Sequence, residues 1–263
     1  MNKIKLIHGD CLEKMQELED KSIDCIISDP PFGVTSQKWD QILSFDELWK
    51  QFNRVIKDNG AIIVFGKGIF SAKTILSNEK MYRYSLVWEK GQGIDFYHAN
   101  KKPLNSHEDI MIFYKKPPTY NPQFWYSEPY KRIKLEHEAD RNNIVKWNPK
   151  VRFDSISEDG RRYPLSVLKF PKGNREKDHP TQKPVALLEW LIKTYTNENE
   201  TILDATCGSA STLIAAINTH RSSIGIELED KYFDLSKKRI ENHLSELENG
   251  LDFLFEVNDY ERD

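Results

Sequence analysis

Apolar residues recur along this chain in two rhythms. Short runs at Lys5-Leu6-Ile7, Ile23 to Ser28, Ala61 to Phe65, Thr201 to Leu203 and Ser223 to Leu228 read as strands. Phe45, Leu48, Trp49, Phe52, Val55 and Ile56 instead fall at i, i+3, i+4, i+7, i+10 and i+11, one face of a helix. Ser44 is placed to cap that helix and Asn59-Gly60 to stop it. Leu12, Met15 and Leu18 have the same spacing, and a weaker helix is expected from Phe70 to Leu76. Later helices are predicted after Pro184, read as an N1 proline, over Ser211 to Ile217, and from Asp230 onward. Two β-rich runs, Tyr84 to Trp88 and Ile110 to Tyr114, flank a polar stretch at 90–106 that reads as a loop. The run Ala61 to Phe65 does not alternate, as expected for a strand buried on both faces. Strands alternating with helices predict an α/β fold built on a doubly wound, mostly parallel sheet.

At Lys115 the rhythm breaks. Seven prolines, from Pro117 to Pro171, punctuate about sixty residues rich in Tyr, Trp, Lys and Arg. At 263 residues, one domain with a sizeable insertion is expected rather than two equal domains. From Lys115 to Arg175 there are 14 Lys and Arg against 7 Asp and Glu, an excess of +7 that leaves −10 for the rest of a chain totalling −3. A basic insert on an acidic body points to a polyanion held at one face. No apolar stretch approaches the roughly 18 residues of a membrane span, and the amino terminus does not read as a signal peptide. Cys11, Cys25 and Cys207 are odd in number and widely spaced, which excludes a disulfide framework and a zinc-knuckle spacing and suits a reducing cytoplasm. No metal site is expected, since no histidines stand at ligand spacing.

Two stretches carry chemistry. Asp29-Pro30-Pro31-Phe32 follows the strand Ile23 to Ser28, where open α/β sheets place their ligands. Asp29 and the Pro30 carbonyl can accept both protons of a planar amino group, with Phe32 stacked on the ring that bears it. Leu203 to Thr212 forms a strand, a turn of small residues and a helix start, which lets a ligand lie close to backbone N–H groups. Glu227 ends the next strand, 19 residues past Gly208, near the offset at which an acid meets ribose hydroxyls. Together these favour a nucleoside-type cofactor.

Asp29 to Phe32, the run His179-Pro180-Thr181-Gln182-Lys183-Pro184, and Leu203 to Thr212, in this order, resemble the amino-methylating DNA methyltransferases of the circularly permuted β class. The resemblance covers about residues 4–114 and 178–247 and implies a Rossmann-like methyltransferase fold with an inserted irregular target-recognition region. It divides the chain into a catalytic half (1–114), a target-recognition region (115–177) and a cofactor-binding half (178–263). It implies S-adenosylmethionine as cofactor, with Asp204, Gly208, Ser209 and Thr212 beside its methionine portion and Glu227 at its ribose. Thr181, Gln182 and Lys183 match the segment that closes this pocket, and Asp10 a position near the adenine. Asp29, Pro30, Pro31 and Phe32 are then catalytic, and Arg132, Arg141, Arg152, Arg161 and Arg162 are candidates for contacts to double-stranded DNA. The expected reaction is N6 methylation of a flipped adenine. Cytosine N4, RNA, and a non-catalytic descendant stay open, as do a cognate restriction endonuclease and a homodimer. The chain departs from the family loop at Ala205, Thr206, Ala210 and Ser211. Losing the last glycine, at Ala210, matters only if that position needs φ > 0 or has no room for a Cβ.

Overall fold

The computed structural model describes residues 1–33, 42–132, 155–171, 182–247 and 253–259. The chain divides into two compact units. The larger comprises Met1–Asn121 with Ser166–Asp263, and the smaller is Pro122–Leu165.

In the larger unit, β1 (Asn2–His8) leads into α1 (Cys11–Lys14) and β2 (Ile23–Ser28). Then come α2 (Phe45–Val55), β3 (Ile56–Gly66), α3 (Ile69–Ser77), β4 (Tyr82–Ile94) and β5 (Asn105–Phe113). Among its described residues the smaller unit holds two short antiparallel ribbons. Its strands are β6 (Trp125–Tyr126), β7 (Tyr130–Arg132), β8 (Ser155–Ser157) and β9 (Arg161–Arg162), with β6 on β9 and β7 on β8. The chain returns to the larger unit with β10 (Val167–Lys169), α4 (Val185–Tyr195), β11 (Thr201–Asp204) and α5 (Ser211–Asn218). It continues through β12 (Ser222–Glu227), α6 (Asp230–Glu246) and β13 (Phe253–Asn258).

Nine strands form a sheet in the order β10-β4-β5-β3-β2-β11-β12-β1-β13, in which β5 runs against its neighbours and the remaining pairs are parallel. This is the doubly wound sheet that the alternating pattern predicts. The continuous apolar run Ala61 to Phe65 serves both faces. Ile62 and Val64 bury against α1 and α2, with Leu48, Trp49 and Phe52, while Ala61, Ile63 and Phe65 bury against α4, with Leu187, Leu188 and Leu191. Further along, Leu213, Ile217, Phe233 and Ile240 cover Ile4 and Leu6 with α5 and α6. Each such apolar side chain contributes on the order of 1.5–3 kcal/mol through burial, which is why the strands read as unbroken hydrophobic runs. Among the described residues no helix is long and apolar enough to cross a membrane.

Several local readings differ from the sequence pattern. Helix α2 is capped by Ser44 as expected but stops at Val55, and Ile56 already opens β3, so Asn59 and Gly60 lie within a strand rather than ending a helix. Gly60 is required there by close approach: a Cβ would sit 2.7 Å from the Asp24 carbonyl oxygen. Much of the stretch 90–106 is not loop, because β4 runs to Ile94 and β5 starts at Asn105. Pro184 is the N-cap of α4, in extended conformation, instead of its first helical residue. The edge strand Phe253–Asn258, parallel to β1, had no counterpart in the reading of the pattern.

Candidate active site

The strand connections reverse direction between two neighbours. From β2 the chain winds through α2 to β3 on one side, and from β11 through α5 to β12 on the other. Such a switch point leaves a crevice beyond the strands' carboxyl ends. Asp29 follows β2 and Asp204 ends β11, so two chemical stretches whose aspartates are 175 positions apart (204 − 29) meet at this crevice. Ser28 Oγ lies 3.4 Å from Thr206 Oγ1 across the gap. One cavity is lined by Asp10, Asp29, Lys183, Asp204, Gly208 and Glu227, among others.

On the cofactor side, the turn is held from within. Asp204 Oδ1 accepts the Thr206 N–H at 3.2 Å, and Oδ2 accepts the Thr212 hydroxyl at 2.5 Å. Burial pushes the Asp204 carboxyl up to about 7, with nearby Asp29 and Glu227 adding to the rise. Glu227 Oε2 accepts the Gly208 N–H and Oε1 the Glu229 N–H, both at 2.8 Å, and burial raises its carboxyl as well. Each of those oxygens retains a second lone pair for a hydroxyl donor. Ala210, fully buried at the N-cap of α5, has φ +60°, so the position does call for the left-handed conformation that glycine adopts without penalty. Cys207 is buried beneath the turn, and burial raises its thiol well above the ordinary range, as suits a packing residue. Asp10 lines the same cavity while its Oδ1 caps α1 through the Leu12 N–H at 2.8 Å.

On the other side, Asp29 Oδ2 forms an ion pair with Lys183 Nζ, while Asp29 Oδ1 is buried without a hydrogen-bond partner among the described residues. Burial raises the Asp29 carboxyl, and Lys183 opposes that rise without cancelling it. Pro30 is buried, and the half-buried Phe32 ring packs 4.7 Å from Phe70. Phe32 is not part of the cavity lining, whereas Pro31 is.

A DNA methylase family model of the N6/N4 type matches residues 23–238, most of the chain. The chain belongs to this family. The methylase is 29% identical over 265 residues to the type II methyltransferase M.HpaI of Haemophilus parainfluenzae, covering 96% of this chain and 77% of that one. It is 25% identical to the DNA adenine methyltransferase YhdJ of Escherichia coli K12, covering 90% and 82%. Among solved structures, a complex of M1.HpyAVI with SAM superposes with a TM-score of 0.60 at 25% identity, covering 90% of this chain and 99% of the other.

The methylase contains site residues that the motifs did not reveal. Arg239 on α6 donates to the Ser209 carbonyl at 2.8 Å and the Ser211 hydroxyl at 3.0 Å. With its carbonyl oxygen turned toward that guanidinium, Gln182 accepts at 2.9 and 3.1 Å, so Arg239 joins the segment before α4 to the cofactor turn. Lys183 faces Glu108 of β5 as well as Asp29, and Lys90 of β4 donates to Glu108 at 2.5 Å. Thr181, Arg141 and Arg152 lie outside the described residues, and Arg132 is on β7. Arg161 lies over the Phe124 ring at 4.6 Å and pairs with Asp159, while Arg162 donates to the Glu128 carbonyl at 2.5 Å. Trp125, Tyr126 and Tyr163 are exposed in the same unit.

Proposed function

We propose that this methylase transfers a methyl group from S-adenosylmethionine to N6 of an adenine flipped out of double-stranded DNA, at a short specific site. The observation that carries the reading is the free Asp29 Oδ1, buried at the switch point beside a cavity of acidic and small residues. The cofactor, which supplies an electrophilic methyl on a sulfonium, suits this donor set. Asp204 would meet its positive charge, Glu227 would meet its ribose hydroxyls, and the Gly208–Ser209 turn would leave room for close approach. The SAM complex of a structural relative supports the same choice.

Adenine's amino nitrogen is a weak nucleophile because its lone pair is delocalised into the ring. Asp29 Oδ1 and the Pro30 carbonyl accept its two N–H bonds and hold the nitrogen pyramidal while it forms the new N–C bond. One N–H proton then leaves to Asp29, whose affinity for it burial has raised. Positioning and exclusion of water contribute more here than base strength. Extruding the base costs a few kcal/mol, and stacking on Phe32, worth roughly 1–3 kcal/mol, offsets part of it. Asp before Pro-Pro and the adenine-specific relative favour adenine over cytosine.

The catalytic stretch precedes the cofactor stretch in the chain although their strands are neighbours, which supports the permuted β class and the division at 1–114, 115–177 and 178–263. DNA affinity and sequence choice fall to the basic segment 115–177, and the type II names of relatives favour a cognate endonuclease. Digestion of methylated duplex to nucleosides, followed by mass spectrometry, tests the product. N6-methyladenine is expected, and N4-methylcytosine alone would refute the adenine assignment.

A further inference from the structure

Behind Asp29 lies a buried row of alternating charges. Lys183 Nζ is paired with Asp29 Oδ2 and stands 3.4 Å from Glu108 Oε2, and Lys90 Nζ donates to Glu108 Oε1 at 2.5 Å. The side chains of Lys90 and Lys183 are 5% and 8% exposed and that of Glu108 is 13% exposed, so all three are largely removed from water. Two cations balance two carboxylates, which makes their burial tolerable. Within this balanced row, Asp29 Oδ1 and Glu108 Oε2 are left without a hydrogen bond. Lys183 therefore sits between two carboxylates, bonded to one and within ionic reach of the other, with the Phe65 ring 5.0 Å from Nζ.

We propose that Glu108 is a positioning residue for methyl transfer: it takes over Lys183 from Asp29 as the target amino group arrives, with Lys90 fixing Glu108 in place. The proposal rests on Asp29 being the acceptor for the target base. Asp29 Oδ1 can take one N–H of the amino group as it stands, but Oδ2 becomes free only if Lys183 leaves it, and an ammonium leaves a carboxylate in a dry site only where it gains another anion, because an unpaired buried charge costs several kcal/mol. Glu108 Oε2 supplies that anion. Shortening the 3.4 Å approach to an ordinary hydrogen bond takes a displacement below about 1 Å. The row stays neutral throughout the exchange, and Asp29 is left to receive the amino group with both oxygens.

The charged groups around Lys183 are Asp29 and Glu108, with Lys90 beyond Glu108 and Asp204 beyond Asp29. Replacing Glu108 by Gln leaves one carboxylate to hold the Lys183 proton. The full-length Glu108→Gln variant should bind S-adenosylmethionine within about twofold of wild type by calorimetry, while kcat falls at least about tenfold and KM for DNA changes by less than about threefold. Its rate should climb on the alkaline side at lower pH than any such climb in wild type, because Glu108 no longer helps to hold the Lys183 proton, and loss of that proton releases Asp29. Glu108→Asp, which keeps the charge, should regain part of kcat. A 2-aminopurine placed beside the target adenine should show weaker fluorescence enhancement in Glu108→Gln, because the extruded adenine lacks its anchor. Wild-type kcat in Glu108→Gln, or a loss that is flat with pH and equal in Glu108→Asp, would overturn the proposal. If Glu108→Gln does not fold, Glu108→Asp carries the test: a lowered kcat at unchanged KM supports the exchange, and wild-type kinetics reject it. Asp29→Asn, assayed alongside, separates the two levels. An active Asp29→Asn removes the acceptor reading itself, whereas an inactive one beside a normal Glu108→Gln removes only the exchange.

Discussion

Asp204 should make cofactor affinity depend on pH. Its carboxyl holds a proton until about 7 instead of 3.8, so ionising it in this buried setting costs on the order of 4 kcal/mol. The cause is burial, with Asp29 and Glu227 adding to it. A cofactor bringing positive charge beside Asp204 favours the carboxylate, so the bound state is ionised. At pH 6 about nine-tenths of the free protein must first lose that proton, and at pH 8 only about one-tenth. The apparent Kd should therefore be about tenfold weaker at pH 6 than at pH 8, with close to one proton released per cofactor bound at pH 6. Calorimetric titration in two buffers of different ionisation enthalpy measures both quantities. Asp204→Asn should bind more weakly at every pH and lose the dependence. Asp29 and Glu227 remain in both proteins, so the difference belongs to Asp204. The same variant should be more stable than wild type at pH 8. A carboxyl raised in the folded state contributes stability below about 3.8 that is lost as pH rises through 7, and Asn carries no such charge. A Kd equal at pH 6 and 8, with heat independent of the buffer, would refute the reasoning.

Four further outcomes follow from the geometry. Asp29→Ala should abolish methyl transfer and leave cofactor affinity largely intact; complete loss of calorimetric binding by a folded variant would mean that the roles are wrongly divided. Glu227→Gln should weaken cofactor binding by roughly 10- to 100-fold, since a carboxylate that also holds the Gly208 and Glu229 N–H groups is replaced by an amide with one acceptor; unchanged affinity would remove Glu227 from the ribose. Neutralising Arg161 and Arg162 together should lower the slope of log affinity against log salt by about 1 to 2, and an unaltered slope with unaltered sequence preference would place both away from phosphates. Ala210→Gly relieves about 1–2 kcal/mol of left-handed strain while losing about 0.8 kcal/mol of methyl burial and about 0.4–1 kcal/mol through the freer unfolded chain. Its melting temperature should thus stay near wild type, and a loss above about 2 kcal/mol would make the Ala210 methyl a packing element.

The parts of the site legible in the sequence are those that lie within one short stretch. Asp29, Asp204 and Glu227 each sit at the end of an apolar run, and a strand's carboxyl end is fixed by the run itself. The same logic misleads where both neighbours want an apolar residue. Ile56 continues the helical spacing of α2, yet it pairs with Ile23 as the first residue of β3. Arg239 went unread because a cation among the charged residues of α6 carries no periodic signal, and its purpose shows only in the turn it reaches.

Lys90 and Glu108 were hidden for a further reason. They stand on opposite arms of an antiparallel pair in a stretch whose glycines and polar residues imitate a loop, and only the strand pairing brings them together. Sequence spacing could not have joined them to Lys183, which comes from the segment before α4. Yet a carboxylate meant for a neutral amino group requires such partners. Left alone in a dry crevice, Asp29 would take up a proton and offer the base one acceptor fewer; bound permanently to Lys183, it would keep only Oδ1 for the base. A cation with a second carboxylate within reach satisfies both conditions. The motif supplies the acceptor, and the hairpin supplies what keeps it ionised and lets it be released.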